Sequence, residues 1–164
     1  MKIGIVSDSH GGTHWLDRML KKAEADEAEC WLHAGDFVED AEYLEQISGR
    51  KVYKVAGNGD WPEPKAPYDL LVELAGYKIF LTHGHMHGVR QGTDILAANA
   101  KGQGADIAVY GHTHVADLTP AGRAGITILN PGSIAKPRDL SEGSFMLMEL
   151  EPGRLPEVKL IRMD

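Results

Sequence analysis

Two histidines close the stretch Gly111-His112-Thr113-His114, directly after the apolar run Ile107-Ala108-Val109-Tyr110. Successive side chains of a strand point to opposite faces, so residues one apart share a face. His112 and His114 can therefore aim at one point just beyond the end of a buried strand. Imidazole is the commonest protein ligand for metal ions. Four other apolar runs end in the same way: Asp8 with His10 after residues 2–6, Asp36 after 30–34, Asn58 after 52–56, and His83 with His85 and His87 after 77–81. Each group lies beside or near glycine, which lets a backbone turn sharply and approach an ion or a phosphate closely.

A polar residue at the start of one loop is ordinary. Five such strand ends would gather two carboxylates and several imidazoles out of water. A bound cation compensates that cost directly, and perturbed charges of this kind mark functional sites. The reading at this level is a metal site at the carboxyl ends of strands, which is where open α/β sheets collect their ligands.

The elements that must carry these groups are legible from pattern. Lys2 to Val6 reads as a first strand feeding the glycine-rich loop Ser7–Gly12. Leu16, Met19, Leu20 and Ala23 then recur at helical spacing, with Thr13 as the expected N-cap. Cys30 to Ala34 is a second strand. The next helix carries Ala41, Leu44 and Ile47 inward, is expected to be capped by Glu39 or Asp40, and stops near Gly49. Val52 to Ala56 is a third strand. Pro62, Pro64 and Pro67 stiffen the loop after it, and Trp61 in that loop reads as a packed aromatic.

Asp69–Leu74 and Tyr77–Leu81 flank Ala75-Gly76 as a β-hairpin. A third helix is expected from about Thr93 to Lys101. Val115–Thr119 and Ile126–Leu129 form a second hairpin around residues 120–125, followed by the turn Asn130-Pro131-Gly132-Ser133. Ser144–Leu150 and Val158–Ile161 close the chain. The first half is βαβαβ, which implies parallel strands under helices, and the second half predicts a more antiparallel sheet. Two sheets packed face to face, with helices outside, reconcile both halves.

Composition narrows the classes. The 164 residues suit a single domain, 1–164. The net charge of -7 argues against a general nucleic-acid-binding role, which usually needs a basic face. Cys30 is the only cysteine, so no internal disulfide forms, in keeping with a reducing cytoplasm. No apolar run approaches membrane-spanning length, and the amino terminus carries no signal-peptide cleavage pattern.

Asp8-Ser9-His10, Gly35-Asp36, Gly57-Asn58, His83-Gly84-His85 and Gly111-His112-Thr113-His114 stand in the order seen in calcineurin-like metallophosphoesterases. The chain resembles that superfamily from Met1 to about Ser133, and its short length and Asn130–Ser133 turn resemble the compact prokaryotic phosphodiesterase branch. The resemblance implies an α/β fold, a four-layer αββα sandwich of two mixed sheets. It implies a phosphodiesterase that hydrolyses a phosphate ester through a hydroxide bridging two metal ions. One ion would take Asp8, His10, Asp36 and His114, the other Asp36, Asn58, His83 and His112, with Asp36 shared. By the same resemblance His85 lies beside the centre and meets a phosphate oxygen, so Asp36, Asn58 and His85 are the expected catalytic residues. A donor set of nitrogen and oxygen without thiolate suits Mn first, with Fe, Zn, Ni or Co as alternatives, better than Ca.

Two other histidines stay open. His87 reads equally as a site residue or a loop residue, and His33 as a partner behind Asp36 or a satisfied core histidine. His14 reads as an exposed helix-start residue. Many members of the family have histidine directly after the asparagine, where it protonates the leaving group. Gly59 has no side chain to do so, and Asp60 reads as structural. The expected partner is a small phosphate-ester substrate, with no membrane and with a homo-oligomer left open. Rival readings with the same residues are a phosphomonoesterase or nuclease, or a non-catalytic metal-binding scaffold module such as the related retromer subunit of eukaryotes.

Overall fold

The computed structural model describes residues 1–122 and 125–164. Among these, ten strands and four helices alternate along the chain: β1 (Lys2–Val6), α1 (Thr13–Met19), α2 (Ala23–Asp26), β2 (Cys30–His33), α3 (Val38–Ser48), β3 (Val52–Lys54), β4 (Asp69–Leu74), β5 (Tyr77–Thr82), α4 (Asp94–Gly102), β6 (Ile107–Val109), β7 (Ala116–Thr119), β8 (Thr127–Pro131), β9 (Ser144–Glu149) and β10 (Glu157–Arg162). Single 3-10 turns cover Asn58–Asp60 and Val89–Gln91. Among the described residues, no helix is long and apolar enough to cross a membrane.

One five-stranded sheet runs β10-β9-β1-β2-β3 and the other β4-β5-β6-β8-β7. They pack face to face because their strands alternate. Ile3 and Ile5 of β1 point between the sheets, where they meet Leu32, Ile79, Leu81, Ile107, Val109 and Met146. Val6 points the other way, into a second cluster with Trp31 and Phe145 that receives Leu16 and Met19 of α1 and Ala41 and Leu44 of α3. Helix α4 lays Leu96 and Ala100 over Phe80, Ala108 and Ile128 on the outer face of the second sheet. The four layers are therefore helix, sheet, sheet, helix, as expected.

The second sheet is mixed, as the resemblance implied: β4–β5 and β7–β8 pair antiparallel, but β5–β6 and β6–β8 pair parallel. Helix α4 makes the crossover from β5 to β6 that a parallel pair needs. Helix α3 is capped from outside itself. The Val38 N–H donates to Asp60 Oδ1 at 2.9 Å, while Asp40 Oδ2 instead accepts from Gly11 N–H at 2.8 Å. Thr13, the expected cap of α1, is its first residue, behind Gly12 and with no side-chain cap. Trp61, expected to be a packed aromatic, is instead 77% exposed. Both hairpins are present. The connection of the second includes Arg123 and Ala124, which lie outside the described residues.

Candidate metal centre

All five motif-bearing strand ends open on the same edge of the sandwich, and backbone strain marks the spot. Asp8, His10, His112 and His114 have φ of 56°, 48°, 70° and 61°. Left-handed backbone at a residue other than glycine costs on the order of 1–3 kcal/mol and persists only where surrounding structure imposes it. The imposing contacts can be named. Asp8 N–H donates to Gly35 O at 2.7 Å, Ser133 Oγ donates to Asp8 O at 2.8 Å, and Asn130 Nδ2 donates to Gly111 O at 3.2 Å. Ser133 and Asn130 carried no sign of this role in the sequence, because they meet their partners only through the fold.

Asp8 is fully buried. Its Oδ2 accepts from Ser7 Oγ at 2.5 Å and from His112 N–H at 3.1 Å. Its Oδ1 has no hydrogen-bond partner among the described residues. That oxygen lies 3.1 Å from His114 Nε2, 3.6 Å from His10 Nε2 and 3.8 Å from His83 Nε2. Burial pushes the carboxyl upward, but the facing imidazoles of His10, His114 and His83, with the Ser7 hydroxyl, outweigh it and hold Asp8 well below the usual carboxylate range. Asp36 accepts from Gly59 N–H at 3.0 Å through Oδ1, and its Oδ2 faces His83 Nε2 at 3.4 Å and His10 Nε2 at 3.9 Å. Burial opposes ionisation of both Asp36 and His83. Their mutual attraction prevails, lowering Asp36 and raising His83.

Second partners aim the imidazoles. His83 Nδ1 donates to Ala34 O at 2.7 Å and His114 Nδ1 to Lys136 O at 2.7 Å. Each bond places the Nε2 atom toward the carboxylates, the arrangement that metal-ligating histidines use. His10 Nε2 and His114 Nε2 then stand 3.1 Å apart. Two groups of donors result, Asp8 with His10 and His114, and Asp8 with Asp36 and His83, each within 4.8 Å of one another. Asp8 is common to both groups, and Asp36, the carboxylate expected to be shared between two ions, stands in the second with its Oδ2 also 3.9 Å from His10 Nε2.

The remaining candidates stand around this core. His112 packs its ring against His83, with centroids 5.1 Å apart, and its Nε2 accepts from Arg90 Nε–H at 3.0 Å. His85 is half-buried between Tyr68, His83 and His112, with a buried Nδ1 that lacks a partner. Burial, then the charge of His83, lowers its basicity. Asn58 is exposed on its 3-10 turn, next to Gly57 and Gly59, which flank the Asp36 carboxylate. His14 is exposed as expected. His87 is structural: its Nε2 donates to Asp69 Oδ1 at 3.0 Å while its Nδ1 accepts from Asn99 Nδ2 at 2.8 Å, tying the loop to β4 and α4. Asp60 is also structural, with Oδ2 accepting from Gly57 N–H at 2.7 Å.

The chain matches the calcineurin-like phosphoesterase superfamily domain over residues 1–153. It belongs to that superfamily. A probable metallophosphoesterase of Bacillus subtilis (strain 168), YsnB, is 34% identical over 152 residues, spanning 92% of this chain and 85% of that protein. Phosphodiesterase YfcE of Escherichia coli (strain K12) is 27% identical, across 91% of this chain and 88% of that protein. Among solved structures, a conserved uncharacterized protein of Streptococcus pneumoniae TIGR4, described as a predicted phosphoesterase, superposes with a TM-score of 0.79 at 28% identity, covering 99% of this chain and 89% of that one.

Within this calcineurin-like fold, His33 acts from behind the centre. Gly35 N–H donates to its Nδ1 at 3.2 Å, so the proton sits on Nε2 and is shared with Ser9 Oγ at 3.0 Å; that hydroxyl donates to Asp36 O at 3.3 Å. Burial pushes His33 down to about 4 from an ordinary 6.5, and the Asp40 and Asp8 charges only partly oppose this. Between those two values the unfolded chain binds a proton that the folded chain does not, so stability is full above 6.5 and is lost as pH falls toward 4. The expected loss from this group is about 3 kcal/mol. Urea unfolding of metal-free protein at several pH values from 7 to 4.5 should show a shallower decline for His33→Gln than for wild type. Parallel declines would mean that His33 is protonated in the folded state.

Proposed function

We propose that this chain is a single-domain phosphodiesterase that works with two divalent transition-metal ions, Mn first among them. One observation carries the reading: the buried, partnerless Asp8 Oδ1 and His83 Nε2 converge with the Nε2 atoms of His10 and His114 in two overlapping donor groups. Buried polar atoms are normally paired, and a pair of cations would satisfy all of them. Asp8, His10 and His114 would hold one ion, and Asp36 and His83 the other, with Asn58 and His112 turning in from the rim. When bound, such ions supply Lewis acidity toward phosphoryl oxygens and a water acidic enough to act as hydroxide near neutral pH.

The protein's own contribution is placement. The strained strand ends hold the donors still, the facing imidazoles keep the Asp8 and Asp36 carboxylates ionised, Ser7 Oγ and Gly59 N–H orient them, and His85, beside His83 and His112, would meet a phosphate oxygen. YfcE, a phosphodiesterase by name, supports a diester substrate. A reducing cytoplasm fits the lone Cys30, whose buried thiol is pushed up to about 11 and is thereby inert.

The test is a matrix of metals against substrates. Chelator-stripped protein should lose turnover and regain it with Mn, diester ahead of monoester. Full turnover in protein shown metal-free by elemental analysis would sink the reading. The matrix should include aryl diesters of rising phenol pKa. A general acid typically contributes about 10²–10⁴-fold, and Gly59 provides none, so rates should fall steeply as the leaving group becomes more basic. A flat series, with chemistry rate-limiting, would reveal another acid. If His85→Ala then steepened it, His85 would be that acid.

A further inference from the structure

Arg90 lies outside both donor groups, on the 3-10 turn Val89–Gln91, and is exposed to solvent. Its Nε–H donates to His112 Nε2 at 3.0 Å. Among the described residues no carboxylate lies within 4.0 Å of its guanidinium, and Nη1 and Nη2 make no hydrogen bond. An unpaired guanidinium is conspicuous in a chain of net charge -7. Arginine presents donors in a fixed fork that matches a phosphate.

The hydrogen bond constrains His112. To accept from Arg90, Nε2 must be unprotonated, and the ring proton must sit on Nδ1. A cation bound through Nε2 takes the same lone pair. A cation bound through Nδ1 moves the proton to Nε2, which then faces Arg90 as a donor facing a donor. Either way, a cation at His112 and the Arg90–His112 bond exclude each other.

Resting on the metal reading above, we propose that Arg90 is a substrate-contacting residue held by His112 until a cation occupies His112, when its guanidinium is released to grip non-bridging oxygens of the phosphate ester. The consequence is an order of binding. The metal-free centre keeps its arginine folded away, and the loaded centre gains an anion clamp at the rim beside His85 and His112.

The test uses zinc as a diamagnetic probe and inorganic phosphate as the anion. In 15N–1H spectra of metal-free protein, the Arg90 Nε–H should appear as a protected resonance. Two equivalents of zinc should abolish that protection, and phosphate added to the zinc-loaded protein should restore it at a new shift. Phosphate should bind loaded Arg90→Ala about 10- to 100-fold more weakly than loaded wild type, as for the loss of a hydrogen bond to a charged group. Arg90→Lys should recover only part of that loss.

Persistence of the original resonance in zinc-loaded protein would overturn the exclusion. Loss of the resonance with unchanged phosphate affinity in Arg90→Ala would overturn the substrate contact. Absence of zinc binding to wild type would instead overturn the metal reading, and with it the premise of the proposal, so the two failures are distinguishable. Because Arg90 is exposed, its variants should fold, which circular dichroism checks.

Discussion

Asp36→Asn should leave the fold intact and lower turnover on an aryl phosphodiester by more than the ~10–100-fold that loss of an outer partner of a metal site costs. The amide matches the carboxylate in shape, so its oxygen can still accept from Gly59 N–H, as Asp36 Oδ1 does at 3.0 Å. The other side is reversed. An NH2 group would stand where Oδ2 faces His83 Nε2 at 3.4 Å and His10 Nε2 at 3.9 Å. An acceptor that attracts cations becomes a donor that repels them. Elemental analysis of the purified variant should show less than the wild-type metal content. Wild-type stoichiometry and rate in the folded fraction would reduce Asp36 to a turn residue.

Gly59→Ala is the second large effect, and it comes from space. A Cβ at position 59 would sit 2.7 Å from Phe37 Cε1 and 3.0 Å from Asp36 Cγ, inside the ~3.5–4.0 Å at which carbon atoms rest against each other. Either the Phe37 ring, packed edge-on against His10 at 5.6 Å between centroids, or the Asp36 carboxylate must move. Overpacking of this kind costs about 1–3 kcal/mol. A displaced Asp36 should weaken Mn binding about 10- to 100-fold, as loss of a supporting contact does. Adding Phe37→Leu to Gly59→Ala should return part of that affinity by removing the ring edge. Wild-type Mn affinity in Gly59→Ala alone would show that the space is not limiting. The same contact makes Gly59→His a poor way to restore a general acid, and it accounts physically for the missing histidine: the Phe37 ring stands where the first carbon of any side chain would go.

Much of the architecture was legible because it is periodic. Ile3 and Ile5 alternate into the space between the sheets, Leu16 and Met19 recur at helical spacing, and glycines punctuate the ends. The candidate donors Asp8, His10, Asp36, His83 and His114 were legible for the same reason, since a polar residue placed immediately after a buried strand has only the strand's end to occupy. His87 stayed open because it follows His85 at the same spacing as His85 follows His83. Its satisfied bonds to Asp69 and Asn99 depend on two other elements.

Residue types and their spacing thus determined which groups could reach one edge of the sandwich, because strand alternation and glycine placement are local properties of the chain. Tertiary structure alone decided how those groups meet. It made Asp8 the carboxylate common to both donor groups and set Arg90 on His112. It placed Ser133 under Asp8 from 125 residues away and filled the space beside Gly59 with Phe37. These are contacts between segments distant along the chain, and each depends on loop paths and on the packing of one sheet against the other, which no local pattern encodes.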